Sequence, residues 1–181
     1  MVHSASLRWT LALLLAVSLC AGCGSSGPSK ITPSSYVKSV CSAISPLERD
    51  VVTRSSALNN TTASNAVEAK RTLQGFLTAV EQDSDRALSQ IRAAGAPDIS
   101  NGKAVAGTIV KAFTQLRDAM QGASVKATAL PTDSTSSFKT AAQALGANVR
   151  GSLDNIDASG LSNRDLEQAA AKEPACKNLN S

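Results

Sequence analysis

Cysteine is the residue type in this chain with the clearest covalent chemistry, and the four cysteines fall into two pairs. Cys20 and Cys23 stand at the end of an apolar run near the N-terminus, whereas Cys41 and Cys176 lie in the body of the chain. A thiolate is a nucleophile that can form a thioether, and two thiols can be oxidised to a disulfide. Which reaction each pair undergoes depends on the compartment that the chain enters.

The N-terminus has the pattern of a secretory signal peptide. A basic opening segment contains Arg8, and no acidic residue occurs before Glu48. The nine residues Leu11–Leu19 are almost all apolar, and small residues follow them. This run is too short to span a membrane, which takes about 20 apolar residues. We therefore expect residues 1–22 to act as a signal peptide and to be removed after export.

The end of the apolar run resembles the lipobox of bacterial lipoprotein precursors, which is usually Leu-Ala-Gly-Cys. The matching residues are Cys20-Ala21-Gly22-Cys23, and Cys20 departs from the pattern because an aliphatic residue is usual there. The resemblance implies cleavage before Cys23 and a thioether from its sulfur to diacylglycerol, with fatty acids such as palmitate holding the protein on the extracytoplasmic face of the cell membrane. If Cys20 were modified instead, Leu19 would occupy a cleavage position that takes a small residue. Ordinary signal cleavage near Ala21 would leave Cys23 as a plain thiol.

A short tether and one folded domain follow the proposed cleavage site. Removal of residues 1–22 from the 181-residue chain leaves 159, which suits a single domain with its own core. Residues 23–35 are rich in Gly, Ser and Pro, a composition typical of a flexible tether, so the domain is expected over 36–181. The net charge of +4 falls to +3 when Arg8 is removed, and the remaining charges are interspersed. This pattern does not favour nucleic-acid binding.

The two cysteines of the domain are expected to pair. Cys41 and Cys176 are the thiols that remain after Cys23, and an exported chain enters an oxidising compartment. In a loop-entropy model, a bond across so long a stretch stabilises the fold by roughly 5 kcal/mol, which is an upper figure. The alternative is two independent thiols.

Apolar residues that recur every three or four positions predict an all-α domain. We expect long helices near 33–58, 64–94, 101–129 and 134–157, and a short helix over 163–173. Short connections favour antiparallel neighbours, so the simplest topology is an antiparallel up-down four-helix bundle with a short fifth C-terminal helix. No strand-like alternation of useful length occurs in the sequence.

Local signals refine the helix boundaries. Serines are the expected N-caps of the first, second and fifth helices, at about Ser34, Ser64 and Ser162. Pro46 should kink or divide the first helix because it lacks a backbone donor. The second helix carries a packing seam with a seven-residue repeat, formed by Ala66, Leu73, Val80, Ala87 and Ala94.

The interior of the predicted bundle allows two interpretations. An antiparallel register brings Phe76 and Phe113 to a similar height, near Met120, so these residues form either a packed core or a candidate ligand cavity. Glycines inside the predicted helices indicate either close backbone packing or a groove for a ligand; they are Gly75, Gly107, Gly122, Gly146 and Gly151.

No residue pattern in the mature chain favours catalysis or metal binding. The only histidine, His3, is lost with the signal, so triads that contain histidine are excluded. Glu81, Asp83 and Asp85 lack the glycine turn of a calcium loop, and we interpret them as a solvated helix face. We therefore expect no enzyme activity, no metal and no cofactor.

The chain as a whole is similar to the small lipoproteins of uncharacterised function that actinobacterial genomes encode. Besides Ala21-Gly22-Cys23 and the tether, the resemblance includes Tyr36-Val37-Lys38-Ser39-Val40-Cys41 and a matching Ala175-Cys176. It implies a membrane-anchored helical protein that acts by contacting an envelope protein or the cell wall. The alternative is a carrier or receptor that holds an apolar or amphipathic small molecule between its helices. The sequence leaves the oligomeric state open.

Overall fold

The computed structural model describes residues 30–60, 65–156, 162–177 and 179. The signal peptide, Cys20, Cys23 and most of the predicted tether therefore lie outside the described residues. Within the described part, the elements are β1 Lys30–Ile31, α1 Pro33–Asn60, α2 Ala66–Ala93, β2 Ala96–Pro97, α3 Gly102–Thr128, α4 Thr135–Asp154, α5 Arg164–Lys172 and α6 Pro174–Lys177.

The all-α class predicted from periodicity is confirmed. Among the described residues, extended structure is limited to β1 and β2, which pair in parallel over two residues each. The Asp98 amide also donates a hydrogen bond to the Ile31 carbonyl over 2.7 Å. The end of the segment predicted as a tether is therefore part of the folded domain, next to the connection between α2 and α3.

The helices begin close to their predicted positions, but the residues that cap α1, α2 and α5 are not the expected serines. The Thr32 hydroxyl accepts a hydrogen bond from the Ser35 amide, and Thr32 directly precedes Pro33. Thr32, and not the expected Ser34, therefore caps α1. Asn65 caps α2 by accepting from the Glu68 amide, and the predicted cap Ser64 lies outside the described residues. These caps differ from the prediction because several residues that can cap stand side by side.

At α4 and α5 the caps follow the same chemistry. Ser134 accepts a hydrogen bond from the Ser137 amide, so α4 begins where the sequence predicts. Asn163, and not Ser162, accepts hydrogen bonds from the first amides of α5. Helix α5 ends before Pro174, and Pro174 is the first residue of the one-turn helix α6. The periodicity of the sequence did not predict α6.

Pro46 does not divide α1, which runs without interruption from Pro33 to Asn60. A proline inside a helix removes one hydrogen bond and crowds the preceding turn. Buried residues lie on both sides of it, at Ala43 and Leu47. Packing of this face against the neighbouring helices thus compensates for the local cost of the proline.

Consecutive long helices pack against each other, and α2 and α3 run antiparallel. Side chains of α2 contact α3 and the residues just after it: the Lys70 ammonium donates to the Leu130 carbonyl over 2.9 Å. Farther along, the Thr78 and Ser124 hydroxyls are 3.4 Å apart. Of the predicted seam of α2, Ala66, Val80 and Ala87 are buried, whereas Leu73 and Ala94 are only partly buried. Leu77, Ser84 and Ile91, which lie between the seam positions, are buried as well.

The described core divides into three apolar clusters. We call them the disulfide-end cluster, centred on Tyr36 and Val105, the central cluster, centred on Leu47 and Met120, and the far-end cluster, centred on Leu77. Helix α4 contributes side chains to the central and far-end clusters. Helix α5 instead contributes to the disulfide-end cluster, so α4 and α5 cover different parts of the core.

The glycines inside the helices do not serve close packing between helices, and one of them, Gly122, lines a cavity between α3 and α4. A β-carbon added at Gly75, Gly107, Gly122, Gly146 or Gly151 would meet no atom of another element within 4 Å. The close-packing interpretation of these glycines is therefore wrong. Close approach occurs instead at Gly102, where an added β-carbon would overlap the Pro97 carbonyl oxygen.

This contrast predicts opposite effects for one type of substitution. Gly75→Ala and Gly107→Ala should each raise the free energy of unfolding by about 0.5–1 kcal/mol, because alanine favours the helix and finds open space. Gly102→Ala should lower it by about 1–3 kcal/mol, because the backbone of β2 must move. Urea unfolding of the three variants measures the direction of each change in the free energy of unfolding. A lower free energy of unfolding for Gly75→Ala would contradict the prediction.

Candidate functional site

The structure brings together two of the three groups of residues that the sequence singles out. Cys41 and Cys176 form a disulfide, as predicted, with their Cα atoms 5.1 Å apart. Phe76, Phe113 and Met120 lie together in the central cluster. The lipidation site Cys23 lies outside the described residues.

The disulfide fastens the short C-terminal helices to the beginning of α1. Both cysteines are buried. The Ser45 hydroxyl, one turn beyond Cys41, lies 3.2 Å from the Ala175 carbonyl oxygen and shares its proton with the Cys41 carbonyl. Helix α6 is thus held by a covalent bond and by a polar contact to the same stretch of α1.

A cavity of about 220 Å³ lies beside this disulfide, between α1, α3 and α5. Its walls are almost entirely apolar and include Cys41 of the disulfide. The lining residues are Tyr36, Val37, Val40, Cys41, Val105, Ile109, Leu166, Glu167 and Ala170. Because Glu167 is exposed and Ile109 and Ala170 are only partly buried, the mouth of the cavity lies between α3 and α5.

Tyr36 is the polar group most deeply placed at this cavity. Only 1% of its surface is exposed, and its phenol oxygen has no hydrogen-bond partner among the described residues. Burial raises the pKa of Tyr36 from 10.0 to about 12, because the phenolate would lose its hydration. A buried hydroxyl without a partner is unusual in a folded protein. We take the cavity as the candidate site because its walls are almost entirely apolar and it opens to solvent.

A second cavity of about 160 Å³ lies between α3 and α4. It is smaller, and its walls mix apolar and polar side chains, including Asp118, Lys126, Asn148 and Ser152. Neither of these two cavities is lined by Phe76, Phe113 or Met120. Those three side chains pack within the central cluster.

The acidic group on α2 differs from the prediction at one position. Asp83 is only 5% exposed and pairs with Arg86, so it does not belong to a solvated face. Asp85 does face solvent and approaches Arg117 of α3 at 3.7 Å. The hydrogen bond from Arg117 to Asp118 is the main cause that raises the pKa of the guanidinium above its usual value.

These carboxylates do not converge on a common point. Among the described residues, no group of three or more Cys, His, Asp or Glu side chains is placed to hold a metal ion. In the same residues, no helix is both long and apolar enough to cross a membrane.

Comparison of the chain with protein-family models, with curated proteins and with solved structures finds no match. The candidate site is therefore defined by its own geometry.

Sequence reasoning did not identify the cavity at Tyr36. In the sequence, Tyr36 draws attention only as the first residue of the segment Tyr36-Val37-Lys38-Ser39-Val40-Cys41. The available signal was that Tyr36, Val40 and Ile44 share one face of α1 with Cys41 nearby. The position of α5 over that face, which closes the cavity, does not follow from periodicity.

The buried phenol predicts a specific alkaline dependence of stability. The folded protein keeps Tyr36 protonated to a higher pH than the unfolded chain does, so this contribution is complete below pH 10.0 and is lost as the pH rises toward about 12. Relative to Tyr36→Phe, the free energy of unfolding should decrease by about 2–3 kcal/mol across that interval. Denaturant unfolding at a series of pH values measures it, and parallel profiles for the two proteins would contradict the buried state of the phenol.

The disulfide predicts a large loss of stability when either cysteine is removed. Cys176→Ser should lower the free energy of unfolding by about 2–5 kcal/mol, because the unfolded chain is no longer closed into a loop that spans 135 positions. Cys41→Ser and the double variant should lose a similar amount, since all three lose the same bond. Unfolding with and without reductant measures the effect, and a midpoint that reductant leaves unchanged would count against it.

Proposed function

We propose that this chain is a lipoprotein of a bacterial cell envelope. In this proposal, residues 1–22 are removed, and Cys23 carries diacylglycerol through its sulfur. The domain then stands on the extracytoplasmic face of the membrane and acts without enzyme activity, by contacting an envelope protein or the cell wall. The observation that carries the proposal is the sequence Ala21-Gly22-Cys23 directly after a short apolar run.

The cysteine usage of the domain agrees with export. A buried disulfide between Cys41 and Cys176 is a bond that persists in oxidising compartments and is rare in the cytosol. Two acyl chains would bind the membrane far more strongly than a single myristoyl chain does.

The proposed anchor would hold one end of the domain close to the membrane. Cys23 precedes Lys30, the first residue of β1, by seven positions, and a fully extended chain of that length reaches about 25 Å. Because β1 pairs with β2 beside the start of α1, the disulfide end would face the lipid surface. The opposite end, where α3 meets α4, would point into the envelope.

We further propose that α1–α4 form an up-and-down bundle. The antiparallel contacts between α2 and α3 and the short connections support this arrangement. A surface for partner contact is expected on the exposed helix faces, where the large apolar side chains Val52, Val67 and Val125 are more than half exposed.

The carrier or receptor function stays a second candidate because of one observation. The cavity beside Tyr36 is lined almost entirely by apolar side chains and opens to solvent. Such a site could hold an apolar or amphipathic small molecule, although it lies at the disulfide end and not at Phe76, Phe113 and Met120.

The anchor is tested by metabolic labelling with an alkyne analogue of palmitate in a bacterium that processes lipoproteins. The unmodified chain should incorporate the label and partition into detergent, whereas Cys23→Ser should do neither, because it lacks the sulfur that forms the thioether. Cys20→Leu is the matched control, since it removes the neighbouring thiol and supplies the aliphatic residue that is usual there.

Label on the Cys23→Ser chain, or loss of label in Cys20→Leu, would contradict the assignment of Cys23. Absence of label from the unmodified chain would contradict the lipoprotein proposal as a whole.

A further inference from the structure

We propose that α5 and α6 form a strap that the Cys41–Cys176 disulfide latches onto α1. Reduction of this bond releases the strap and uncovers the apolar face of α1 around Tyr36, while α1–α4 stay folded. The inference adds a redox-controlled opening to the proposed function and does not depend on the lipid anchor. It rests on the weak contacts of the strap, on the position of the bond and on the separation of the core clusters.

The strap has little apolar surface with which to stay docked. Helices α5 and α6 have 9 and 4 residues, and helices of this length are not stable alone in water. Their buried residues are Leu166, Ala169 and Cys176, so a single large aliphatic side chain is among them. An alanine methyl removes little surface from water, whereas every ordered residue costs conformational entropy. The residues that pack beside them are only partly buried; they are Ala170, Ala175 and Leu179.

The polar contacts of the strap are also weak. The Asn163 side-chain amide, at the start of α5, donates to the Asn101 side-chain oxygen over 3.4 Å at an exposed position. The Ser45 hydroxyl lies 3.2 Å from the Ala175 carbonyl oxygen, but it also donates to the Cys41 carbonyl over 2.8 Å. Such contacts contribute little to docking because water replaces them when the strap leaves.

The disulfide lies where it can act as the latch. It joins Cys176, in α6, to Cys41, near the start of α1. A covalent link of this kind holds α5 and α6 beside α1 at a high effective concentration, so that weak contacts suffice for docking. Once the bond is open, docking has to rely on the weak contacts alone.

The core below the strap does not depend on it. The buried residues of the central and far-end clusters come from α1–α4 or from the residue position just after α3, and none of those described belongs to α5 or α6. Release of the strap therefore leaves both clusters intact. Regions of a protein that make few buried contacts can open while the rest of the structure stays folded.

The strap covers an apolar face of α1 and α3. Leu166 and Ala170 of α5 line the same cavity as Tyr36 and Val40 of α1 and Ile109 of α3. In the closed protein, Tyr36 exposes 1% of its surface. The reduced protein would thus present to water an apolar face that the oxidised protein hides.

The opening reaction is thiol–disulfide exchange with a dithiol, either a small molecule or the cysteine pair of an oxidoreductase. One thiolate of the dithiol attacks a sulfur of the Cys41–Cys176 bond and forms a mixed disulfide, and the other cysteine leaves as a thiolate. The second thiolate of the dithiol then attacks the mixed disulfide and displaces the remaining cysteine. The dithiol is oxidised to a disulfide, both cysteines are reduced, and the two protons of the dithiol pass through water to the cysteine thiolates.

Hydrogen exchange measured by mass spectrometry tests the release of the strap. The processed protein in dodecyl maltoside is compared before and after treatment with dithiothreitol. Amides of residues 166–170 should lose their protection after reduction, whereas amides of residues 77–80, in α2, should keep it. The variant Cys41→Ala/Cys176→Ala should show the open pattern without reductant and should not respond to it, so it decides the question even if the buried bond resists the reagent.

Fluorescence of one residue tests whether the strap covers Tyr36. Tyr36 is the single tyrosine of the chain, and Trp9, the single tryptophan, is removed with the signal peptide. Quenching of the tyrosine emission by acrylamide should increase severalfold on reduction, because the phenol ring becomes accessible to the quencher. The alanine double variant should be quenched to the same extent as the reduced protein.

The proposal is overturned if residues 166–170 stay protected in the double variant, because the bond would then not be the latch. Loss of protection at residues 77–80 as well, both in the variant and after reduction, would overturn it by showing global unfolding. An unchanged quenching of Tyr36 would contradict the position of the strap over that side chain. These outcomes leave palmitate labelling of Cys23 unaffected, so a failure here is distinguishable from a failure of the lipoprotein proposal.

Discussion

The bond between Cys41 and Cys176 fixes the last helices of the domain on the beginning of α1, and the candidate site depends on that attachment. Helix α5 has nine residues, too few for a helix to be stable alone in water. It stays in place because Leu166 and Ala169 are buried against α1 and α3 and because the disulfide follows directly after it. Without this closure, α5 would lose a covalent restraint, and the cavity between α1, α3 and α5 would lose the support of one wall.

Periodicity predicted the helices well because burial repeats along them. Ala66, Val80 and Ala87 of the predicted α2 seam are buried, and Ser134 caps α4 at the predicted start of that helix. The errors occurred where adjacent residues can each cap a helix. Asn65 and Asn163 are the N-caps of α2 and α5, and not the serines that precede them. The continuity of α1 through Pro46 could not be predicted from the neighbouring sequence, because it depends on the packing of the buried residues Ala43 and Leu47.

The candidate site was less predictable than the fold. The sequence correctly indicated the disulfide, because two domain cysteines in a chain that is expected to be exported have few alternatives. It also correctly grouped Phe76, Phe113 and Met120, since antiparallel register places them together. The cavity at Tyr36 was missed because an empty volume results from how three helices meet. The burial of Asp83 was missed for a similar reason, since charge alone suggested a solvated residue.

The most direct test of the lipoprotein account is the intact mass of the protein purified from its native membrane, denatured without reduction. The account predicts a polypeptide that begins at Cys23, carries the mass of a diacylglyceryl group and is two hydrogens lighter than the fully reduced chain. A mass that begins at another residue without lipid would contradict the anchor. A mass that retains both hydrogens would contradict the disulfide on which the candidate site depends.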